Sequence, residues 1–247
     1  MTGPARKDKH TGSLMAAALG MPQPWQMGLQ PPASPVMEQL ASLHGMLLWI
    51  IGPILLLVLG LLVYVMLRFN ARAHPEPTAT THNPALEILW TALPVVILAL
   101  IAVPSFRLLY AMDRAPPAEL TVKVVGHQWY WEYQLPGGRT FNSVVVADDD
   151  LKPGQPRLLE VDQALVLPVE TVIKLVVTAD DVIHSWSVPA FGVKTDAIPG
   201  RLNETWVRID RPGTYYGQCS QLCGMNHGAM PIKVEAVPRE QFFATAK

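Results

Sequence analysis

Cys219-Ser-Gln-Leu-Cys223-Gly-Met-Asn-His227-Gly-Ala-Met230 puts two thiols, an imidazole and a thioether into twelve consecutive residues. All four are soft or borderline ligands. Sulfur with imidazole selects copper or zinc, and a thioether among the donors argues for copper. A mononuclear blue-copper centre uses one Cys, two His and a weak axial Met, so the second Cys is surplus to it. The surplus points to two coppers bridged by the thiolates, each needing one terminal imidazole. His184, in Asp180-Asp-Val-Ile-His184-Ser-Trp186 directly after a predicted strand, is the natural second donor. Gly217, Gly224 and Gly228 would let the loop fold tightly around metal. A disulfide with unrelated neighbours would not explain four converging donors. The other histidines, His10, His44, His74, His82 and His127, show no ligand spacing and read as structural or exposed.

The elements that must carry this cluster fall into two kinds. Half of the 247 residues are hydrophobic and only 16% are charged, and the apolar excess sits in two blocks without charge, Met46 to Leu67 and Ile88 to Phe106. Each can cross a bilayer as a helix, which takes about 20 apolar residues. The loop between them carries Arg68 and Arg72, so it is expected on the cytoplasmic side with both chain ends outside. From Leu120 the pattern changes to β-rich runs: Leu120 to Val125, Gln128 to Tyr133, Thr171 to Val177, Glu204 to Ile209 and Pro231 to Glu235. Turn signals such as Pro136-Gly-Gly138 and Arg211-Pro-Gly213 separate them, and this spacing reads as a sandwich or barrel.

The expected order is therefore residues 1–21 as a signal or processing segment, 22–45 as an extended external lead-in rich in proline, 46–112 as a two-helix membrane hairpin, and 113–247 as an external β domain. From Asp113 onward there are 13 Lys and Arg against 16 Asp and Glu. Nucleic acid, which needs a basic patch, is excluded as a partner.

The chain closely resembles subunit II of haem-copper cytochrome c oxidase of the bacterial, aa3 type. The resemblance runs from Pro24 onward through Pro24-Trp-Gln-Met-Gly-Leu-Gln30, Leu86-Glu-Ile-Leu-Trp90, Pro104-Ser-Phe-Arg-Leu-Leu-Tyr110, Gly126-His-Gln-Trp-Tyr-Trp131, Leu158-Leu-Glu-Val-Asp162, Lys194-Thr-Asp-Ala-Ile-Pro-Gly-Arg-Leu202 and Tyr215-Tyr-Gly-Gln-Cys219. It implies a transmembrane α-helical hairpin followed by an all-β cupredoxin-like Greek-key barrel with a binuclear CuA centre. Cys219 and Cys223 would bridge the coppers, His184 and His227 would be terminal ligands, and Met230 and the backbone carbonyl of Gln221 weak axial ones.

Trp129 matches the residue through which electrons from cytochrome c arrive, although a Trp in a barrel is more often packing; Tyr130 and Trp131 read as packing. Glu87, at the cytoplasmic end of the second apolar block, matches a proton-pathway entrance; its plainer reading is a helix-start carboxylate favoured by the dipole. Asp148 to Asp150, Asp180 and above all Asp181 are candidates for steering a basic cytochrome.

The implied partners are subunit I with haem a and haem a3-CuB, subunit III, cytochrome c and the bilayer, at a bacterial inner membrane with the C-terminal domain in the periplasm. The implied function is electron transfer to haem in subunit I for oxygen reduction coupled to proton pumping. The chain departs from the family at Gln221, where a Glu carboxylate usually helps bind Mg²⁺ at the contact with subunit I. A hard cation prefers carboxylate oxygen, which puts Mg²⁺ in doubt here. The intact ligand set excludes a quinol oxidase, and the absence of CxxCH excludes a fused c-type haem. A membrane-anchored copper carrier is the rival class.

Overall fold

The computed structural model describes residues 20–76 and 78–245; most of the expected signal segment, with His10, lies outside the described residues. The chain forms two compact units, residues 40–110 and the remainder.

The first unit is helical. Helix α1 (Pro35–Arg68) and helix α2 (Pro84–Asp113) each carry a long apolar window with none of its residues buried inside the protein. Such all-round exposed apolar surface is stable only against lipid or other protein. Helix α1 begins eleven residues before its uncharged block, so the extended lead-in ends at Ser34 instead of residue 45. The cause is local: Pro35 fits the first helical position, and Ser34 Oγ accepts the Met37 N–H at 3.0 Å while donating to the Phe191 carbonyl at 2.7 Å. Helix α2 starts in the same manner. Asn83 Oδ1 accepts from the N–H groups of Ala85 and Leu86, and Glu87 Oε1 reaches back to accept the Asn83 N–H at 3.1 Å.

Among its described residues the second unit holds ten strands: β1 (Leu120–His127), β2 (Tyr130–Gln134), β3 (Thr140–Ser143), β4 (Leu165–Pro168), β5 (Ile173–Ala179), β6 (His184–Val188), β7 (Val193–Ala197), β8 (Asn203–Val207), β9 (Gly213–Cys219) and β10 (Pro231–Val237), followed by helix α3 (Arg239–Thr245). One sheet has the order β3-β2-β1-β5-β8 and the other β4-β10-β9-β6-β7. Two neighbouring pairs, β1 with β5 and β10 with β4, run parallel, which requires chain crossing over between the sheets. Val122, Val124, Ile173, Leu175 and Val177 of one sheet and Leu165, Leu167, Ile232 and Val234 of the other are fully buried between them. Tyr215 OH donates to the Arg211 carbonyl at 2.7 Å, a tyrosine corner that fixes the start of β9. The expected strand at Gln128 begins instead at Tyr130, because Gln128 and Trp129 form the two-residue turn closing β1 onto β2 with His127 opposite Tyr130.

The lead-in belongs to this unit. Gly20 pairs with Tyr215, the Ala33 N–H donates to the Ala190 carbonyl at 2.8 Å, and the Asp210 N–H donates to the Ala33 carbonyl at 3.0 Å. It is a strap across the sheet as well as a connection to α1.

Glu160 is 3% exposed and accepts from Lys233 Nζ at 2.6 Å and Tyr216 OH at 3.2 Å. Removing one partner of such a pair strands a charge away from water. Lys233→Met is expected to cost about 3 kcal/mol of β-domain stability, measurable as denaturant unfolding of the full-length chain in detergent. Adding Glu160→Gln should restore much of the loss. A single variant as stable as the parent would show the pair to be unimportant.

Candidate metal centre

Three connections converge at one end of the sandwich: the β1–β2 turn, the β5–β6 turn and the β9–β10 loop. His184 is the first residue of β6 and fully buried, with Trp131 edge-on to its ring at 6.0 Å. Trp186 pairs with Cys219 across β6 and β9, which brings His184 to the last residue of β9. The Cys219 N–H then donates to the Met230 carbonyl at 3.0 Å, closing residues 219–230 into a loop whose ends meet.

Inside that loop the donors form a chain. His184 Nδ1 lies 3.9 Å from Cys219 Sγ, the two sulfurs are 3.8 Å apart, and Cys223 Sγ lies 3.6 Å from His227 Nδ1. The Gln221 carbonyl accepts from the Cys219 thiol at 3.3 Å, and Met230 is buried beside both cysteines in the core. His184, Cys219 and Cys223 hold their ligand atoms within 4.8 Å of one another, and His227 joins them at Cys223 while also bearing on the Cys219 thiol. No disulfide joins the cysteines.

Asp181 orients the first imidazole. His184 Nε2–H donates to Asp181 Oδ1 at 2.8 Å, so the Nδ1 lone pair faces the sulfur, the usual second-layer arrangement of a ligating histidine. Burial raises the Asp181 carboxyl, but hydrogen bonds from His184, Val182 and Gln128 together hold it below its ordinary value. Both its oxygens accept hydrogen bonds from within the chain.

Burial works against ionising Cys219, yet hydrogen bonds with His184, the backbone of Gln221 and Ser185, and His227 draw its thiol below the usual cysteine range. Burial and the neighbouring Cys219 push Cys223 upward. Cys219 is thus the more easily ionised of the two thiols.

Gly126 makes room for the ligand, since a Cβ there would stand 2.9 Å from His184 Cδ2. Gly224, at φ +117°, takes a conformation that side chains rarely adopt and lies under Trp129. Gly217 abuts the Ser187 carbonyl of β6, whereas Gly228 faces open space, so only two of the three loop glycines are sterically required.

Trp129 is partly buried and donates its indole N–H to the Cys223 carbonyl at 3.2 Å. Gln128 donates to the same oxygen, a contact that the sequence signalled only by adjacency to Trp129. Glu87 belongs to the helical unit, capping α2.

Residues 120–237 match the family described as cytochrome c oxidase subunit II, periplasmic domain, and residues 22–108 match cytochrome c oxidase subunit II, transmembrane domain. A probable cytochrome c oxidase subunit 2 of Rickettsia bellii is 54% identical over 223 residues, covering 90% of this chain and 83% of that protein. Cytochrome c oxidase subunit 2 of Zea mays is 46% identical over 229 residues, covering 89% and 88%. The crystal structure of the periplasmic domain of subunit II of cytochrome oxidase from Bradyrhizobium japonicum, 50% identical, superposes with a TM-score of 0.50 and covers 53% of this chain and 94% of that one. With a membrane hairpin, a periplasmic β domain and a His/Cys/Cys cluster at its end, the chain belongs to the cytochrome c oxidase subunit II family.

Proposed function

We propose that the chain accepts single electrons from cytochrome c at a binuclear copper centre held by Cys219, Cys223, His184, His227, Met230 and the Gln221 carbonyl, and delivers them to haem in subunit I. The observation that carries this reading is a close sulfur pair with two imidazoles against it, His184 beside Cys219 and His227 beside Cys223. Two thiols, two imidazoles, a thioether and a carbonyl are more donors than one tetrahedral ion takes, and the thioether and carbonyl suit copper.

A copper pair held by these residues would supply one-electron storage and release. The chain's part is to keep the geometry fixed through the exchange. Buried Cys219, Cys223 and Met230 exclude water, Asp181 holds the tautomer of His184, and the β6–β9 pairing fixes the separation of His184 from Cys219. Trp129, joined to Cys223 through the backbone carbonyl, offers a short route inward from the surface. Exposed Leu222 and Met225, on the same loop as Cys223, add apolar surface for a docked protein.

Glu87 is the entrance of a proton pathway in this reading, supported by its place as the acidic residue at the head of an apolar helix. The side chain of Gln221 is neutral, so Mg²⁺ at the contact with subunit I has no carboxylate from this position. A bacterial inner membrane, subunit III and an aa3-type complex complete the proposal.

Copper analysis of the full-length chain should give two coppers with a mixed-valence paramagnetic spectrum; one weakly held Cu(I) would sink the binuclear reading and favour a carrier. Trp129→Phe in the assembled oxidase is expected to slow electron arrival from cytochrome c at least tenfold, a loss of about 1.4 kcal/mol of barrier advantage, with the copper spectrum intact. An unchanged rate removes Trp129 from the route. Glu87→Gln should slow proton-coupled haem reduction, and normal turnover would leave Glu87 with its capping role alone.

A further inference from the structure

Gln128 is neutral and ligates nothing, yet it touches both halves of the centre. Its backbone N–H donates to Asp181 Oδ2 at 2.6 Å, and the other oxygen of that carboxylate accepts from His184. Its side-chain Nε2–H donates to the Cys223 carbonyl at 2.8 Å, the same oxygen that the Trp129 indole N–H reaches at 3.2 Å. A carbonyl oxygen has two lone pairs, so it can accept both donors at once. The amide and the indole also share a floor: a Cβ on Gly224 would stand 3.0 Å from Gln128 Nε2 and 3.1 Å from Trp129 Cζ2.

We propose that Gln128 is a positioning residue that holds the Trp129 ring against the copper loop by fixing the plane of the Cys223 carbonyl. This rests on the reading of Trp129 as the point where electrons enter. The amide makes the shorter of the two hydrogen bonds to this oxygen, and its own backbone is anchored by Asp181. Without the amide the peptide plane of Cys223 can rotate, and the indole keeps one longer hydrogen bond on a loop whose neighbours, Leu222 and Met225, are 76% and 87% exposed. The ring then samples positions away from the loop while the copper ligands stay where they are. The anchor to Asp181 is a backbone contact, so a side-chain substitution leaves it in place.

The first readout is hydrogen exchange of the Trp129 indole N–H in the copper-free, full-length chain, its resonance assigned with Trp129→Phe. Gln128→Leu should speed that exchange about fivefold, the equivalent of one hydrogen bond of roughly 1 kcal/mol. Gln128→Glu, equal in size but with no donor when ionised, should do the same. In the assembled oxidase both variants should retain the copper hyperfine pattern and the rate with a small diffusible reductant, while slowing electron arrival from cytochrome c several-fold. Unchanged indole exchange overturns the proposal, as does a copper spectrum altered in step with the rate, which would mean that Gln128 acts on the metal ligands. If Trp129→Phe leaves electron arrival unchanged, the electron-route reading fails, and the exchange measurement still decides whether Gln128 positions the ring.

Discussion

The pairing of β6 with β9, Trp186 opposite Cys219, is the contact on which the centre depends. His184 and Cys219 lie 35 residues apart, and only this pairing brings an imidazole to a thiol at 3.9 Å. It demands close approach of the two strands: a Cβ on Gly217 would stand 2.0 Å from the Ser187 carbonyl. The flanking β9–β10 pairing returns the chain, so that Met230 closes the loop on Cys219. A register slip of one residue at β6 would turn His184 to the other face of the sheet and dismantle the donor chain.

The electrostatics follow from the burial. Two thiols and an imidazole are held away from water, where isolated charges are costly. The chain answers with asymmetric surroundings, easing ionisation at Cys219 and resisting it at Cys223. Asp181 adds a negative charge one bond beyond the ligand layer, a third exposed and therefore partly screened. The donors hold one another by hydrogen bonds, with Cys219 the more easily ionised of the two thiols.

The sequence made the donors legible because their chemistry is unusual: two thiols, an imidazole and a thioether at short spacing have few other uses. The membrane blocks were legible through their lack of charge. Helix α1 exceeded its apolar block because Ser34 and Pro35 form a start signal whose second partner, the Phe191 carbonyl, is distant in sequence. Strands β3, β4, β6, β7 and β9 went unread as strands, being short or interrupted by Ser, Thr and Gly that hide the alternation. The double acceptor at Cys223 and the close approach of His184 to Gly126 are products of tertiary approach, and no local spacing encodes them.

The strap that runs from Gly20 to Ser34 makes the β domain discontinuous along the chain. Its two pieces are separated in sequence by both membrane helices, so residues from either side of the hairpin meet in one sheet. A soluble fragment cut at Asp113 would leave the Ala190 carbonyl and the N–H groups of Asp210 and Tyr216 without the partners that the strap supplies. The strap thus ties the β domain to the start of the first membrane helix through hydrogen bonds that a domain beginning at Asp113 lacks.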